Sequence, residues 1–178
     1  MTLSQRNDNT ACQTVTSPSC RDELTPSLYV LNAAAPTKPH AVQHLTADLH
    51  SNDTDIAVIT ETHFNQKHSD NIIAVPDYTV FCRDRVGRRG GGVAIYVRST
   101  LQSSVWTHSS DVETYELLWV RVEAVVIGAL YHPPRPQYAV ESLVDYSEAC
   151  VEEVVRSFPQ AVVLVGDFNL GRVQLASD

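Results

Sequence analysis

The chain has 178 residues, 43% of them hydrophobic and 19% charged, and a formal net charge of −8 at pH 7. That length and balance suit one domain with a sizeable core, and exclude a disordered polar tail or a cross-linked mini-protein. The acidic total excludes a surface that attracts nucleic acid on every side, so any contact with a polyanion must be local.

No apolar run approaches the roughly 20 residues that a membrane-spanning helix needs, and the opening MTLSQRNDNTACQ has neither a basic start nor an apolar signal core. No membrane partner and no secretion are expected. Cys12, Cys20, Cys82 and Cys150 form no CxxC or Cys/His ligand spacing. They are expected as free thiols, with Cys82 and Cys150 as small core residues.

Residues 1–26 are rich in Ser, Thr, Asn, Gln and Asp, without apolar periodicity, and Pro18 and Pro26 punctuate them. They read as a disordered polar leader, which leaves residues 27–178 for the domain. SLYVLN (residues 27–32) predicts a strand. TKPHAVQHLTADLH (residues 37–50) follows, with Val42, Leu45 and Leu49 on one helical face and Thr37 and Pro39 as start signals. DIAVIT (residues 55–60) is nearly continuous in apolar residues, as a strand covered on both faces should be. The opening is therefore βαβ-like.

YTVFCRDR, GVAIYVR, ELLWVRVEA and VVIGALYH, within residues 78–132, have the β-branched and aromatic content of strands and predict antiparallel hairpins. From Val140, the positions Leu143, Val144, Val151, Val154, Val155 and Phe158 fit a helical stripe that Pro159 ends. The last strand, residues 161–165, delivers Gly166 and Asp167 to its carboxyl end. Helix-linked strands at both ends with hairpins between them predict an α/β sandwich of mixed sheets rather than a doubly wound sheet.

Polar groups stand where apolar strands finish: Asn32 after SLYVL, Glu61 after IAVIT, and Asp167 with Asn169 after VVLVG. Singly, Glu61 reads as a helix-capping acid and Asp167 as a turn residue. Three coincident strand ends favour a site, since chemistry in such folds collects there and paired carboxylates suit a hard cation such as Mg²⁺. His63 reads as exposed rather than as a ligand, because no further ligand spacing accompanies it. Tyr131, held by the stiff HPP that follows, is either a rim tyrosine of the core or a fixed phenol.

Residues 79–98 carry Arg83, Arg85, Arg88, Arg89 and Arg98 against the single acid Asp84. RDRVGRRGGG (residues 83–92) reads either as a phosphate grip or as a solvated hairpin whose charges protect a sheet edge.

In this order, Asn32, TETHF, RDRVGRRGGGVAIYVR, YELLWVRV, YHPPRP and GDFN resemble the endonuclease/exonuclease/phosphatase superfamily. More narrowly, they are similar to the apurinic/apyrimidinic-type endonuclease domain of non-LTR (LINE-type) retrotransposon polyproteins. The resemblance covers about residues 27–171. It implies a four-layer, DNase I-like α/β sandwich and phosphodiester hydrolysis with Mg²⁺, or Mn²⁺ in its place. The implied act is the nicking of target DNA for retrotransposition, in the nucleus or cytoplasm.

By motif, Glu61 resembles the metal-binding glutamate and Asn32 its first-strand helper. Tyr131 resembles the phosphate-contacting tyrosine. Asp167 resembles the acid that orients or deprotonates the attacking water, with Asn169 beside it. Arg83, Arg85, Arg88 and Arg89 are then expected on the DNA backbone. A full-length element of this kind carries a reverse transcriptase domain on the same chain.

The family's second half, with its late Ser-Asp-His motif, has no counterpart in GRVQLASD (residues 171–178). The expectation is therefore the N-terminal portion of an incomplete domain, impaired in catalysis, with a first sheet lacking its packing partner and a tendency to associate. Two alternatives stand beside it: a DNA-binding relic that does not cut, and a relative acting on phospholipid or inositol-phosphate head groups. The arginine block and ELLWVRV count against the latter.

Overall fold

A computed structural model describes residues 26–33, 40–64, 73–85, 87, 90–109, 111–157 and 161–169. The elements are β1 (Leu28–Asn32), α1 (Ala41–Ser51), β2 (Ile56–Thr60), β3 (Tyr78–Arg83), β4 (Val93–Arg98), β5 (Ser103–Trp106), β6 (Glu116–Val122), β7 (Val125–Tyr131), α2 (Val140–Ser157) and β8 (Ala161–Asp167). They form two four-stranded sheets, ordered β1-β2-β4-β3 and β5-β6-β7-β8. The pairs β1–β2 and β7–β8 are parallel and the others antiparallel, so both sheets are mixed.

The layering follows from which faces are apolar. Ile56, Val58, Val93, Ile95 and Val97 of the first sheet meet Leu118, Val120, Val122, Ile127 and Ala129 of the second in a dry core between them. Leu45 and Leu49 of α1 cover the other face of the first sheet, against Ala57, Ile59, Ala94 and Tyr96. Leu143, Cys150 and Val154 of α2 cover the second sheet, against Leu117, Trp119, Val126 and Leu130. The result is the four-layer α/β/β/α sandwich that the resemblance implied. Because β2 and β4 are buried on both faces, IAVIT and VAIYV lack polar alternation. Each buried Val, Ile or Leu contributes about 1.5–3 kcal/mol, which makes this core a rigid mount for the strand ends.

Several expectations need correction. The first sheet does not lack a partner, because β5 to β8 of the same chain cover it. β5 is a further strand: SSVW is too short and too polar to declare itself, and it forms through pairing with β6. Cys82 is exposed because it sits near the end of β3, an edge strand with no fully buried residue, whereas Cys150 is buried as expected. On α2 the buried stripe runs through Leu143, Cys150 and Val154, while Val144 and Val155 face solvent. Thr37, Pro39, Phe158, Pro159, Cys12, Cys20 and the leader through residue 25 lie outside the described residues. Among the described residues, no helix is long and apolar enough to cross a membrane.

The register fixes what stands at one rim of the sandwich. In the first sheet Asn32 pairs with Thr60, which pairs with Val93, which pairs with Arg83. In the second, Glu116 pairs with Tyr131, which pairs with Asp167. β1 packs over β8, and β2 over β7 and β8, so the two rows of strand ends confront each other.

Candidate active site

Four of the residues singled out in the sequence meet at that rim. The Asn32 amide donates from Nδ2 to Glu61 Oε1 at 3.2 Å and to Asp167 Oδ2 at 2.7 Å, bridging the sheets. The Tyr131 hydroxyl donates to the same Glu61 Oε1 at 3.0 Å. Burial, then the bond to Glu61 and its charge, push the Tyr131 phenol up to about 12, so it remains a donor throughout the neutral range.

Glu61 reaches the site through an unusual backbone. It follows the last residue of β2 and takes a left-handed φ of 54°, as does His63 at 53°. Such conformations cost about 1–3 kcal/mol each in non-glycine residues and persist only where the surroundings impose them. Here the surroundings are the loop before β4: His63 N–H donates to Gly91 O at 2.7 Å and Thr62 N–H to Gly92 O at 3.3 Å. His63 is half-buried, with Nε2 at 4.0 Å from Glu61 Oε2, beside the site rather than fully exposed.

Asp167 closes β8, and its placement depends on Gly166. Gly166 has φ 145°, and a β-carbon there would collide with the Leu130 carbonyl of β7. Beyond it, Asn169, also left-handed at φ 38°, donates its backbone N–H to Asp167 Oδ1 at 3.3 Å and its side-chain amide to His132 O at 3.0 Å. His132 N–H in turn donates to Asp167 O at 2.8 Å.

His132 has a part that the sequence alone did not suggest. It is buried, and its Nδ1 lies 3.1 Å from the Tyr138 hydroxyl. Desolvation lowers its pKa against the opposing pull of Asp167, favouring neutral imidazole. It therefore braces the turn that holds Asp167 and Asn169. The available signal was its place in the rigid YHPP segment.

The arginine block divides. Arg83 donates to Asp111 Oδ1 at 2.9 Å and to Val112 O at 2.8 Å. Arg85 Nε donates to Glu116 Oε1 at 2.6 Å, and its guanidinium carbon stands 5.4 Å from the centre of the Tyr131 ring. Both guanidinium groups are thus engaged within the fold. Arg88 and Arg89 lie outside the described residues. Glu116 is a second residue that sequence reasoning missed, a buried carboxylate opening a strand that is apolar from Leu117 to Val120. Beside it, between Arg85, Thr114, Pro133, Gln137 and Tyr138, opens a cleft of about 330 Å³.

Chemically, the rim offers two carboxylates joined by one neutral amide, a second amide, and the buried, protonated phenol of Tyr131. Oxygen donors of this kind fit a hard divalent cation. Among the described residues no three His, Cys, Asp or Glu side chains form a metal cage. A cation held by one or two carboxylates would keep several waters, the habit of Mg²⁺.

The endonuclease/exonuclease/phosphatase family model matches residues 9–172. No curated protein matches the chain. Among solved structures, an AP endonuclease from Archaeoglobus fulgidus is similar at TM-score 0.60 and 17% identity, over 82% of this chain and 58% of that one. A 3′ phosphatase from Neisseria, bound to a product DNA hairpin, is similar at TM-score 0.58 and 18% identity, over 82% and 58%. The endonuclease domain of TRAS1, a telomere-specific non-LTR retrotransposon, is similar at TM-score 0.55 and 20% identity, over 83% and 63%. The likeness establishes the fold, and the chain spans about three-fifths of the length of these structures.

Proposed function

Because the chain belongs to the endonuclease/exonuclease/phosphatase family, we propose that it hydrolyses phosphodiester bonds in DNA, as the nicking endonuclease of a non-LTR retrotransposon. The observation that carries this reading is the convergence of Asn32, Glu61, Tyr131 and Asp167, from four separate strand ends, into one hydrogen-bonded cluster.

Glu61, with Asn32 beside it, would hold Mg²⁺. The bound ion would supply positive charge against the developing charge on the phosphoryl and leaving oxygens. The protein's own groups have separate tasks. Tyr131 restrains Glu61 by its hydrogen bond. Asp167 accepts a proton from the attacking water as that oxygen bonds to phosphorus. The phosphorus–O3′ bond breaks and O3′ takes a proton from solvent, leaving a 3′ hydroxyl and a 5′ phosphate, after which Asp167 returns its proton to solvent. Asn169 stands beside the same water, with its side-chain amide held by the His132 carbonyl and its backbone N–H by Asp167. Preorganised donors of this sort are each worth about 10²- to 10³-fold in rate.

DNA is the substrate favoured over a lipid head group, since solved structures of similar fold include one bound to product DNA and a retrotransposon endonuclease domain. Arg88 and Arg89 are proposed to contact the DNA backbone, and a reverse transcriptase on the same polypeptide is the proposed partner in a complete element. Turnover is expected to be slow, because Arg83 and Arg85 are committed to Asp111 and Glu116 rather than to a phosphate.

The test is supercoiled plasmid incubated with the chain and Mg²⁺. Nicking that disappears in Glu61→Ala and Asp167→Ala supports hydrolysis. Nicking that survives both refutes the assigned site. No nicking, with a salt-dependent gel shift, selects the reading in which the chain binds DNA without cutting it.

A further inference from the structure

Glu116 touches none of Asn32, Glu61 or Asp167, yet it is joined to Glu61 by two routes. The first runs through side chains. Glu116 Oε1 accepts from Arg85 Nε at 2.6 Å. The Arg85 guanidinium lies against the face of Tyr131, 5.4 Å from carbon to ring centre, and Tyr131 donates to Glu61 Oε1 at 3.0 Å. Arg85 Nη2 is buried with no hydrogen-bond partner among the described residues, as expected for a cation held against an aromatic face rather than against an acceptor.

The second route runs through the main chain. Glu116 Oε2 accepts the Gly92 N–H. The carbonyls of Gly91 and Gly92 then accept from His63 and Thr62, the residues that hold the left-handed turn at Glu61. The packing leaves no slack, since a β-carbon on Gly91 would collide with both Arg85 and Glu116. A carboxylate this buried is costly unless both oxygens are matched, and the matched arrangement is the one that places Glu61.

We propose that Glu116 is a positioning residue, which sets the side chain of Glu61 through Arg85 and Tyr131 and its backbone through Gly91 and Gly92. On this reading the first half of the RDRVGRRGGG block serves the site from within. The proposal rests on Glu61 being the cation-binding residue only in its second readout.

The first readout needs no activity. In the full chain labelled with 3-fluorotyrosine, the Tyr131 ¹⁹F resonance is identified by its loss in Tyr131→Phe. Glu116→Gln and Arg85→Met are each expected to shift it, and the double variant to shift it no further than the larger single change. Glu153→Gln, a change on α2 that weakens a carboxylate contact with His108 and Ser109 after β5, is expected to leave it in place. A Tyr131 resonance unmoved in Glu116→Gln, with the protein folded by circular dichroism, overturns the proposal. If Glu116→Gln does not fold, Arg85→Met decides the side-chain route by the same criterion.

The second readout is Mn²⁺ affinity by electron paramagnetic resonance. Glu116→Gln is expected to weaken it about tenfold, within the range for groups that orient a ligand, and Glu153→Gln to leave it unchanged. Equal weakening in both variants reduces Glu116 to a general structural residue and overturns the proposal. Wild-type chain that binds no Mn²⁺ refutes the cation site itself, and the ¹⁹F result alone then decides the positioning role.

Discussion

Asn32 Nδ2 lies 2.7 Å from Asp167 Oδ2, a hydrogen bond between residues 135 positions apart and on different sheets. The same nitrogen lies 3.2 Å from Glu61 Oε1, so one neutral amide separates two carboxylates that would otherwise face each other. Asn32→Ala removes the donor, and Asn32→Asp replaces it with a third like charge. Plasmid nicking is expected to fall about 10²-fold in the first and further in the second, with melting temperatures changed little in Asn32→Ala. Nicking by Asn32→Asp at the wild-type rate would remove the bridge from the mechanism.

Gly166 allows β8 to present Asp167. Its left-handed φ and the Leu130 carbonyl against its α-carbon leave no room for a methyl group, and the obstruction is backbone that cannot rotate away. Gly166→Ala is expected to lose about 3 kcal/mol of stability, the scale of combined overpacking and backbone strain. Urea denaturation followed by circular dichroism measures it. A loss under about 0.5 kcal/mol, the level of an ordinary surface change, would mean that β8 does not pair with β7 at this register.

The rim was legible in sequence wherever burial made it so. IAVIT and VVLVG carry no charge because they pack against the sandwich core, so the first charged group after each, Glu61 and Asp167, marks the strand end. Sheet pairing over long separations was not legible. The roles of Arg83 and Arg85 depend on Asp111 and Glu116, which lie 28 and 31 positions further on. Composition shows guanidinium groups but not the carboxylates that will meet them. The exposure of Cys82 was hidden because an apolar-looking strand reads alike whether it is central or at an edge, and β3 is at the edge. The left-handed turns at Glu61 and His63 had no signal in the sequence at all, since they are imposed by the loop before β4.

His132 is expected to make the fold acid-sensitive. Its pKa is lowered in the folded chain, chiefly by desolvation. The unfolded chain therefore binds the proton first as pH falls below about 6.5, the ordinary histidine value. The resulting stability is present above that value and is lost as pH drops toward the lower folded pKa. Urea midpoints at pH 7.5 and pH 5 should differ in the wild type, and differ less in His132→Asn, whose amide can still meet Tyr138. An unchanged difference between the two pH values in the variant would assign the acid sensitivity to other groups.

The four arginines of the block should separate experimentally. Arg85→Ala strands the buried Glu116 carboxylate, and is expected to cost about 3 kcal/mol of stability. Arg83→Ala breaks a half-exposed pair with Asp111 and should cost less. Neither should much alter how DNA affinity depends on salt, since neither group is proposed to meet a phosphate. Arg88→Ala with Arg89→Ala should leave stability nearly unchanged and reduce the slope of log affinity against log salt by about 2, close to one for each phosphate left without its arginine. Fluorescence anisotropy with a labelled duplex, titrated at several salt concentrations, reads that slope. A fall in slope of about 1 for Arg83→Ala would place Arg83 on the DNA and make the Asp111 pair a resting state that the substrate breaks.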